Sequence, residues 1–170
     1  SLHSEASRSS TTSGNTGRSM VYVGRFGDVA TEYSQVGAGS VNHTQSYAQG
    51  VGVDSKATKI PAGGGARVHY VGDAVGTVSM TLSDAGAASE TSVKDVWGVQ
   101  FAGSSAERYG YAQREKDDES GLVYMRARMY DPKTGRFTQT DPPIRRRAGS
   151  HYLYASNSPA SWIDPLGTQD

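Results

Sequence analysis

Three Asp-Pro dipeptides lie close together towards the end of the sequence and hold its best candidates for acid–base chemistry. They place Asp131, Asp141 and Asp164 in the stretches MRARMYDPKTGRFTQTDPP and WIDPLGTQD. Two carboxylates held a few ångströms apart do not both ionise readily. One therefore keeps a proton while the other acts as a base, and together they can activate water against a peptide bond. A neighbouring arginine could hold and orient one of the two carboxylates.

Spacing alone does not show which of these aspartates is catalytic, because Asp-Pro is above all a turn dipeptide. Asp117 to Gly121 and Asp131 to Gly135 share the pattern D-x-x-x-G. In this pattern the acidic residue opens a turn and glycine supplies a positive φ. The sequence therefore predicts structural turn roles for Asp131, Gly135 and Gly121.

Other kinds of site have little support in the sequence. The chain has no cysteine, and its four histidines, at positions 3, 43, 69 and 151, do not have the spacing of metal ligands. No phosphate-binding loop and no nucleophile elbow is present. We therefore predict no metal and no cofactor. The formal net charge of zero gives no general electrostatic reason to bind nucleic acid.

The elements that must position these residues read as short strands separated by turns. Residues 1–19 are almost entirely polar and predict a disordered or extended arm. From 20 to 108 the sequence predicts β-hairpins, with the clearest alternation at Val78, Met80 and Leu82. From 109 to 167 it predicts strand, turn, strand, turn, strand, with LVYMRARMY as one strand and a short helix beginning near Ser158. Residues 168–170 form a tail. The predicted fold class is mostly β, built from antiparallel hairpins.

The last third of the sequence resembles a known family. GLVYMRARMYDPKTGRFTQTDPP and HYLYASNSPASWIDPLG look like the core signature of Rhs (rearrangement hotspot) and YD-repeat proteins, and HYVGDAVGTVSMTLSDAGAASETSVKDVWG resembles the strand unit before it. The resemblance covers about residues 20–167. It implies that the hairpins form part of a hollow β-shell that encloses a toxic C-terminal segment.

The resemblance also implies a self-cleaving site of the aspartyl type. On this sequence its acidic pair corresponds to Asp141 and Asp164, supported by Arg128, with cleavage just after the DPLG motif, between Gly167 and Thr168. Thr168 stands where the family usually has leucine. No cofactor is implied.

Three functions follow as hypotheses. The first is a shell segment for toxin encapsulation with an autoproteolytic aspartate pair. The second is a non-enzymatic extracellular subunit that assembles into a filament or sheath through its β-edges. The third is a cell-surface adhesion module. The expected partners are the rest of an Rhs shell or identical subunits, together with a C-terminal toxin segment, and the expected location is secreted or at the cell surface.

Overall fold

The computed structural model describes residues 10–12, 16–23, 28–36, 40–51, 54–141 and 151–168. Its strands are β1 (Ser10–Thr12), β2 (Thr16–Val23), β3 (Asp28–Val36), β4 (Val41–Gln49), β5 (Lys56–Pro61), β6 (Val68–Gly72), β7 (Val78–Leu82), β8 (Ala88–Lys94), β9 (Gln100–Ser104), β10 (Glu115–Lys116), β11 (Val123–Met125), β12 (Arg128–Asp131) and β13 (Arg136–Phe137). Short 3-10 turns lie at Ala62–Gly64, Tyr111–Gln113 and Ala155–Asn157. The prediction of a mostly β fold with little helix is confirmed.

The chain divides into two compact units, 1–70 with 83–87, and 71–82 with 88–170. In the first unit, β1 to β5 pair in sequence order, each strand antiparallel to the next, and β5 pairs with the start of β6. The boundary that the sequence analysis placed between residues 108 and 109 lies within the second unit and stays a prediction.

The second unit contains two sets of antiparallel strands. In one set β8 pairs with β7 on one side and with β9 on the other. The other set is a four-stranded sheet in the order β10, β11, β12, β13. Every strand in these sets pairs with its neighbour in sequence, as expected of successive hairpins.

Two turns of the second unit have the same construction 22 residues apart. The Asp73 carboxylate accepts hydrogen bonds from the backbone of Val75 and Thr77 at 3.0 and 2.9 Å. The Asp95 carboxylate accepts the equivalent bonds from Trp97 and Val99, both at 2.9 Å. Each aspartate thus closes its own turn, as short polar side chains do in Asx-turns. The sequence analysis missed this repeat.

Tyrosine rings form the core of the second unit. The Tyr130 ring lies 4.4 Å from that of Tyr154 and 5.6 Å from that of Tyr111, measured between centroids. Tyr130 and Tyr154 are fully buried, and Phe137 packs edge-on against both. The Tyr130 hydroxyl donates to the Trp97 carbonyl at 2.8 Å. The rings therefore supply apolar area while a hydroxyl reaches a partner at the margin of the core.

The predicted strand LVYMRARMY is wrong, because the chain reverses in the middle of it. β11 ends at Met125, β12 begins at Arg128, and these two residues pair directly. The reversal requires Arg126 to adopt a φ of +55°, a left-handed conformation that non-glycine residues adopt rarely. Alternation of long side chains does not reveal so tight a turn.

The helix predicted near Ser158 is reduced to a single turn. The backbone N–H groups of Ser161 and Trp162 both donate to the Ser158 carbonyl at 3.0 Å, and no helix continues from there in the described residues. The preceding residues 155–157 all have positive φ, so they are not part of a right-handed helix.

The polar arm predicted for residues 1–19 lies partly in strands. Ser10–Thr12 pairs with residues 16–18 of β2, and β2 continues to Val23, across the predicted boundary at residue 19. Residues 1–9 and 13–15 lie outside the described part of the chain.

The tyrosine core gives a stability prediction. Tyr130→Phe keeps the ring but removes the hydrogen bond to the Trp97 carbonyl, so we expect the free energy of unfolding to fall by about 1 kcal/mol. Tyr130→Ala also removes the ring and should cost roughly 3–5 kcal/mol. Urea denaturation of the two variants measures both values. Equal losses in the two variants would contradict a core that depends on the ring.

Candidate active site

Arg128 is held inside the second unit by the alternation of β12. Arg128 and Tyr130 both face the interior, whereas Met129 and Asp131 are less buried. Arg128 is only 2% exposed. Because a buried guanidinium loses its hydration, it needs partners on most of its donors.

Arg128 brings together the two aspartates that the resemblance singled out. Its Nη2 lies 3.2 Å from Oδ2 of Asp164 and 3.3 Å from Oδ1 of Asp141. The side chains of both aspartates are at least 98% buried. Since both carboxylates contact one nitrogen, they lie close to each other although they are 23 residues apart in the sequence.

The remaining donors of Arg128 bind backbone carbonyls. Nε donates to the Gly167 carbonyl at 2.6 Å, and Nη1 donates to the His151 carbonyl at 3.2 Å. The guanidinium carbon lies 3.5 Å from the centroid of the Phe137 ring, which is the geometry of a cation–π contact. The arginine is thus fixed in position from several sides.

Asp141 is positioned by residues 151–153, which lie between Asp141 and Asp164 in the sequence. The backbone N–H of Asp141 donates to the His151 carbonyl at 2.9 Å, and that of Phe137 donates to the Tyr152 carbonyl at 2.9 Å. Arg136 and Leu153 form an antiparallel bridge in the register of the Phe137–Tyr152 bond. The His151 carbonyl therefore serves both Asp141 and Arg128.

Asp164 is positioned by a turn that docks on the β11–β12 hairpin. The Gly167 N–H donates to the Asp164 carbonyl at 3.2 Å, which closes the turn. The Ala127 N–H donates to the Leu166 carbonyl at 3.2 Å, and the Arg126 guanidinium donates to the Pro165 carbonyl. These contacts hold the DPLG motif against the residues that precede Arg128.

The peptide bond between Gly167 and Thr168 lies between Arg128 and Asp164. Its carbonyl oxygen accepts from Arg128 Nε, and its N–H donates to Asp164 Oδ1 at 3.2 Å. A cationic donor on the oxygen polarises a carbonyl, and a carboxyl group at the nitrogen can exchange a proton with it. The arrangement therefore suits hydrolysis of this bond.

Tyr154 lies where the tyrosine core meets the acidic pair. Burial raises the pKa of the Tyr154 hydroxyl, and the charges of Tyr111 and Asp164 raise this pKa further. The hydroxyl consequently stays neutral at physiological pH. Tyr154 thus extends the low-dielectric environment of the core to Asp164, which strengthens electrostatic interactions there.

Asp131, the aspartate of the first Asp-Pro, is bound within its own turn. Its carboxylate accepts from the Lys133 N–H at 2.9 Å and from the Thr134 hydroxyl at 3.0 Å. Gly135 ends this turn with a φ of +66°, and Gly121 ends the turn before it with a φ of +74°. Both glycine N–H groups donate to the carbonyl of the aspartate that opens the turn, Gly121 to Asp117 and Gly135 to Asp131.

Two contributors to the site carry no signal that the sequence analysis detected. They are the Phe137 ring and the His151 carbonyl, both of which contact Arg128. In the described part of the chain, no group of three or more histidine, cysteine or acidic residues is arranged to hold a metal ion. Within the same ranges, no helix has the length and apolar character needed to cross a membrane.

Comparisons with known proteins relate the chain to short stretches of much longer proteins. It is 49% identical to salivary gland surface protein 1 of Aedes aegypti over 59 residues. This aligned stretch covers 35% of this chain and 2% of that protein. It is 39% identical to the probable deoxyribonuclease RhsA of Dickeya dadantii over 75 residues. This aligned stretch covers 42% of this chain and 5% of that protein. No family model matches the chain.

Among solved structures, the Photorhabdus luminescens Tc holotoxin pore matches with a TM-score of 0.71 and 16% identity, covering 98% of this chain and 8% of that one. At this identity the match shows a shared fold. The chain is a homologue of Rhs-type proteins. It spans only a small part of the relatives that it matches, as the covered shares of 2% and 5% show.

The docked DPLG turn gives a prediction at Gly167. Gly167 has a φ of +64°, and a Cβ built there would overlap the Met125 carbonyl oxygen. We expect Gly167→Ala to displace the DPLG turn and to lower the midpoint of thermal unfolding. Gly121→Ala is the matched control, because Gly121 also has positive φ but a Cβ there meets nothing within 4 Å. The control should lose only about 1–2 kcal/mol, from backbone strain.

Amide hydrogen exchange at Ala127 locates the effect, because the Ala127 N–H donates to the Leu166 carbonyl. Exchange there should accelerate in Gly167→Ala and remain unchanged in Gly121→Ala. Unchanged protection of Ala127 in both variants would contradict the docking of this turn.

Proposed function

We propose that this chain is the core segment of an Rhs-type β-shell and that it cuts its own backbone between Gly167 and Thr168. The main support is the placement of this peptide bond, with its oxygen 2.6 Å from Arg128 Nε and its nitrogen 3.2 Å from Asp164 Oδ1. The reaction is at most a single turnover, because the substrate is part of the same chain.

Arg128 stabilises the negative charge that develops on the Gly167 oxygen. When a nucleophile attacks the carbonyl carbon, the oxygen becomes an oxyanion, and a fixed cationic donor already in contact with it lowers the energy of that state. Burial of Arg128 increases the effect, because little water is present to screen the charge.

The two aspartates move the protons. One carboxyl of the pair takes a proton from the attacking water as the water oxygen bonds to the Gly167 carbon. The other carboxyl gives a proton to the Thr168 nitrogen as the carbon–nitrogen bond breaks. One of the two carboxyls must therefore carry a proton at the start, as in other acidic pairs. Both carboxylates contact Nη2 of the arginine whose Nε contacts the Gly167 oxygen.

The shell role is supported by the shared fold and by the exposed strand β9, which lies at the edge of the set formed by β7, β8 and β9. All five residues of β9 are exposed, and Phe101 is 67% exposed. Among the described strands, β9 pairs only with β8. An open edge of this kind accepts another strand readily. We propose that the remainder of an Rhs shell pairs with it, that the shell encloses a C-terminal toxin segment, and that the protein is secreted or located at the cell surface.

The same edge would serve the second candidate, a subunit that assembles with identical copies. Sedimentation velocity separates the two. Self-assembly requires a sedimenting mass that grows with protein concentration, and a constant monomer mass would leave the rest of a shell as the partner of β9.

The self-cleavage proposal is tested in a chain continued beyond Asp170 by a folded reporter protein. We expect Asp141→Asn and Asp164→Asn each to slow release of the reporter by about 100-fold or more, since general acid–base groups typically contribute 10²–10⁴-fold. Asp131→Asn is the matched control, because it changes the aspartate of another Asp-Pro in the same way outside the site. The control should cut at the wild-type rate.

Release is followed on a gel over time, and thermal unfolding shows that each variant is folded. If wild type and all three variants remain uncut, or if all four are cut equally fast, the proteolytic role of the pair is wrong.

A further inference from the structure

Residues 126–128 bind the carbonyl groups of the three residues that precede the Gly167–Thr168 bond, one carbonyl each and in the same order. The three contacts are the Arg126 guanidinium with Pro165, the Ala127 N–H with Leu166 at 3.2 Å, and Arg128 Nε with Gly167 at 2.6 Å. The end of the β11–β12 hairpin thus follows the backbone of the segment that leads to the proposed cut, one residue at a time.

The two contacts on the bond itself come from groups of the reacting site. Arg128 binds its oxygen, and Asp164 binds its N–H. Negative charge develops on the oxygen and a proton moves to the nitrogen during cleavage, so both contacts change as the reaction proceeds. A site must nevertheless hold the reacting atoms within roughly 0.5 Å of the productive geometry. Contacts that stay unchanged during the reaction are therefore needed next to the bond.

Arg126 and Ala127 supply contacts of this kind. Their partners, the carbonyls of Pro165 and Leu166, have the same covalent structure before and after the cut. A cationic donor forms a stronger hydrogen bond than a neutral one. The Arg126 contact is therefore the stronger of the two, and it is the one that a side-chain substitution removes.

The backbone of Arg126 points to the same role. Its φ of +55° is unfavourable for a residue with a side chain, whereas glycine adopts this conformation freely. Residues in such conformations persist where the surrounding structure fixes them, and they are concentrated at functional sites. An arginine at a position suited to glycine is explained if its guanidinium is needed on the Pro165 carbonyl.

We propose that Arg126 is a positioning residue for the self-cleavage, which holds residues 165–167 so that the bond after Gly167 stays beside Arg128 and Asp164. Arg126 exchanges no proton and acts only through the backbone that it binds. This inference rests on the proposed self-cleavage and adds a residue on which the rate of cutting depends.

The test uses the same chain continued by a folded reporter, with Arg126→Gly and Arg126→Lys compared with wild type. Glycine keeps the turn, because it adopts a positive φ without strain, but it has no side chain to bind Pro165. We expect the glycine variant to release the reporter about 100-fold more slowly, since a misplacement of about 1 Å at a reacting group can cost that much. Arg126→Asn is a second variant without the contact, because asparagine also tolerates a positive φ.

Lysine is the conservative replacement that should rescue the rate. It keeps a cationic donor, and a single carbonyl does not require the fork of a guanidinium, so we expect release within about tenfold of wild type. Arg67→Gly is the control for loss of an arginine. Arg67 is exposed and pairs with Asp84 in the first unit, so this variant should cut at the wild-type rate. Thermal unfolding shows that each variant is folded.

Two results would overturn the role of Arg126. One is a folded glycine variant that cuts as fast as wild type, and the other is a lysine variant that is as slow as the glycine variant. If Asp164→Asn still blocked cutting in either case, the proposed function would stand. A wild-type chain that does not cut would overturn both.

Discussion

The buried guanidinium of Arg128 is the constraint on which the rest of the site depends. A cation without water must be matched by acceptors, and leaving one of these groups without its partner costs roughly 3–5 kcal/mol. Arg128 obtains its acceptors from two aspartates and two backbone carbonyls that are distant in sequence. The charge of one side chain thus joins segments that are distant in sequence, together with the backbone hydrogen bonds that link the same segments.

The core beside Arg128 explains why this arrangement is rigid. Tyr130 lies two residues along the same strand and packs among aromatic rings, one of which, Phe137, also lies against the guanidinium. The strand, the core and the charged site therefore share residues. Because the turn that contains Asp164 and Gly167 docks on the adjoining hairpin, the Gly167–Thr168 bond lies beside Arg128 and Asp164 in the folded chain without a separate binding step.

The fold class could be predicted from the sequence because alternation and turn residues are local signals, such as Val78, Met80 and Leu82 or the glycine that ends each D-x-x-x-G turn. The turn at Arg126 could not be predicted, since its left-handed backbone is accompanied by contacts with Pro165 and Leu166, about 40 positions away. Spacing alone did not show which of the three Asp-Pro aspartates is catalytic, and the resemblance selected Asp141 and Asp164. The structure brings together the two aspartates that the resemblance selected and leaves Asp131 in its own turn.

The central claim is that the site formed around Arg128 acts on one particular bond. The most direct measurement is the intact mass of the N-terminal fragment released from a chain that continues beyond Asp170. The account predicts a fragment that ends at Gly167 with a free carboxylate. A fragment that ends at any other residue, or a chain that remains intact although it is folded, would contradict the account.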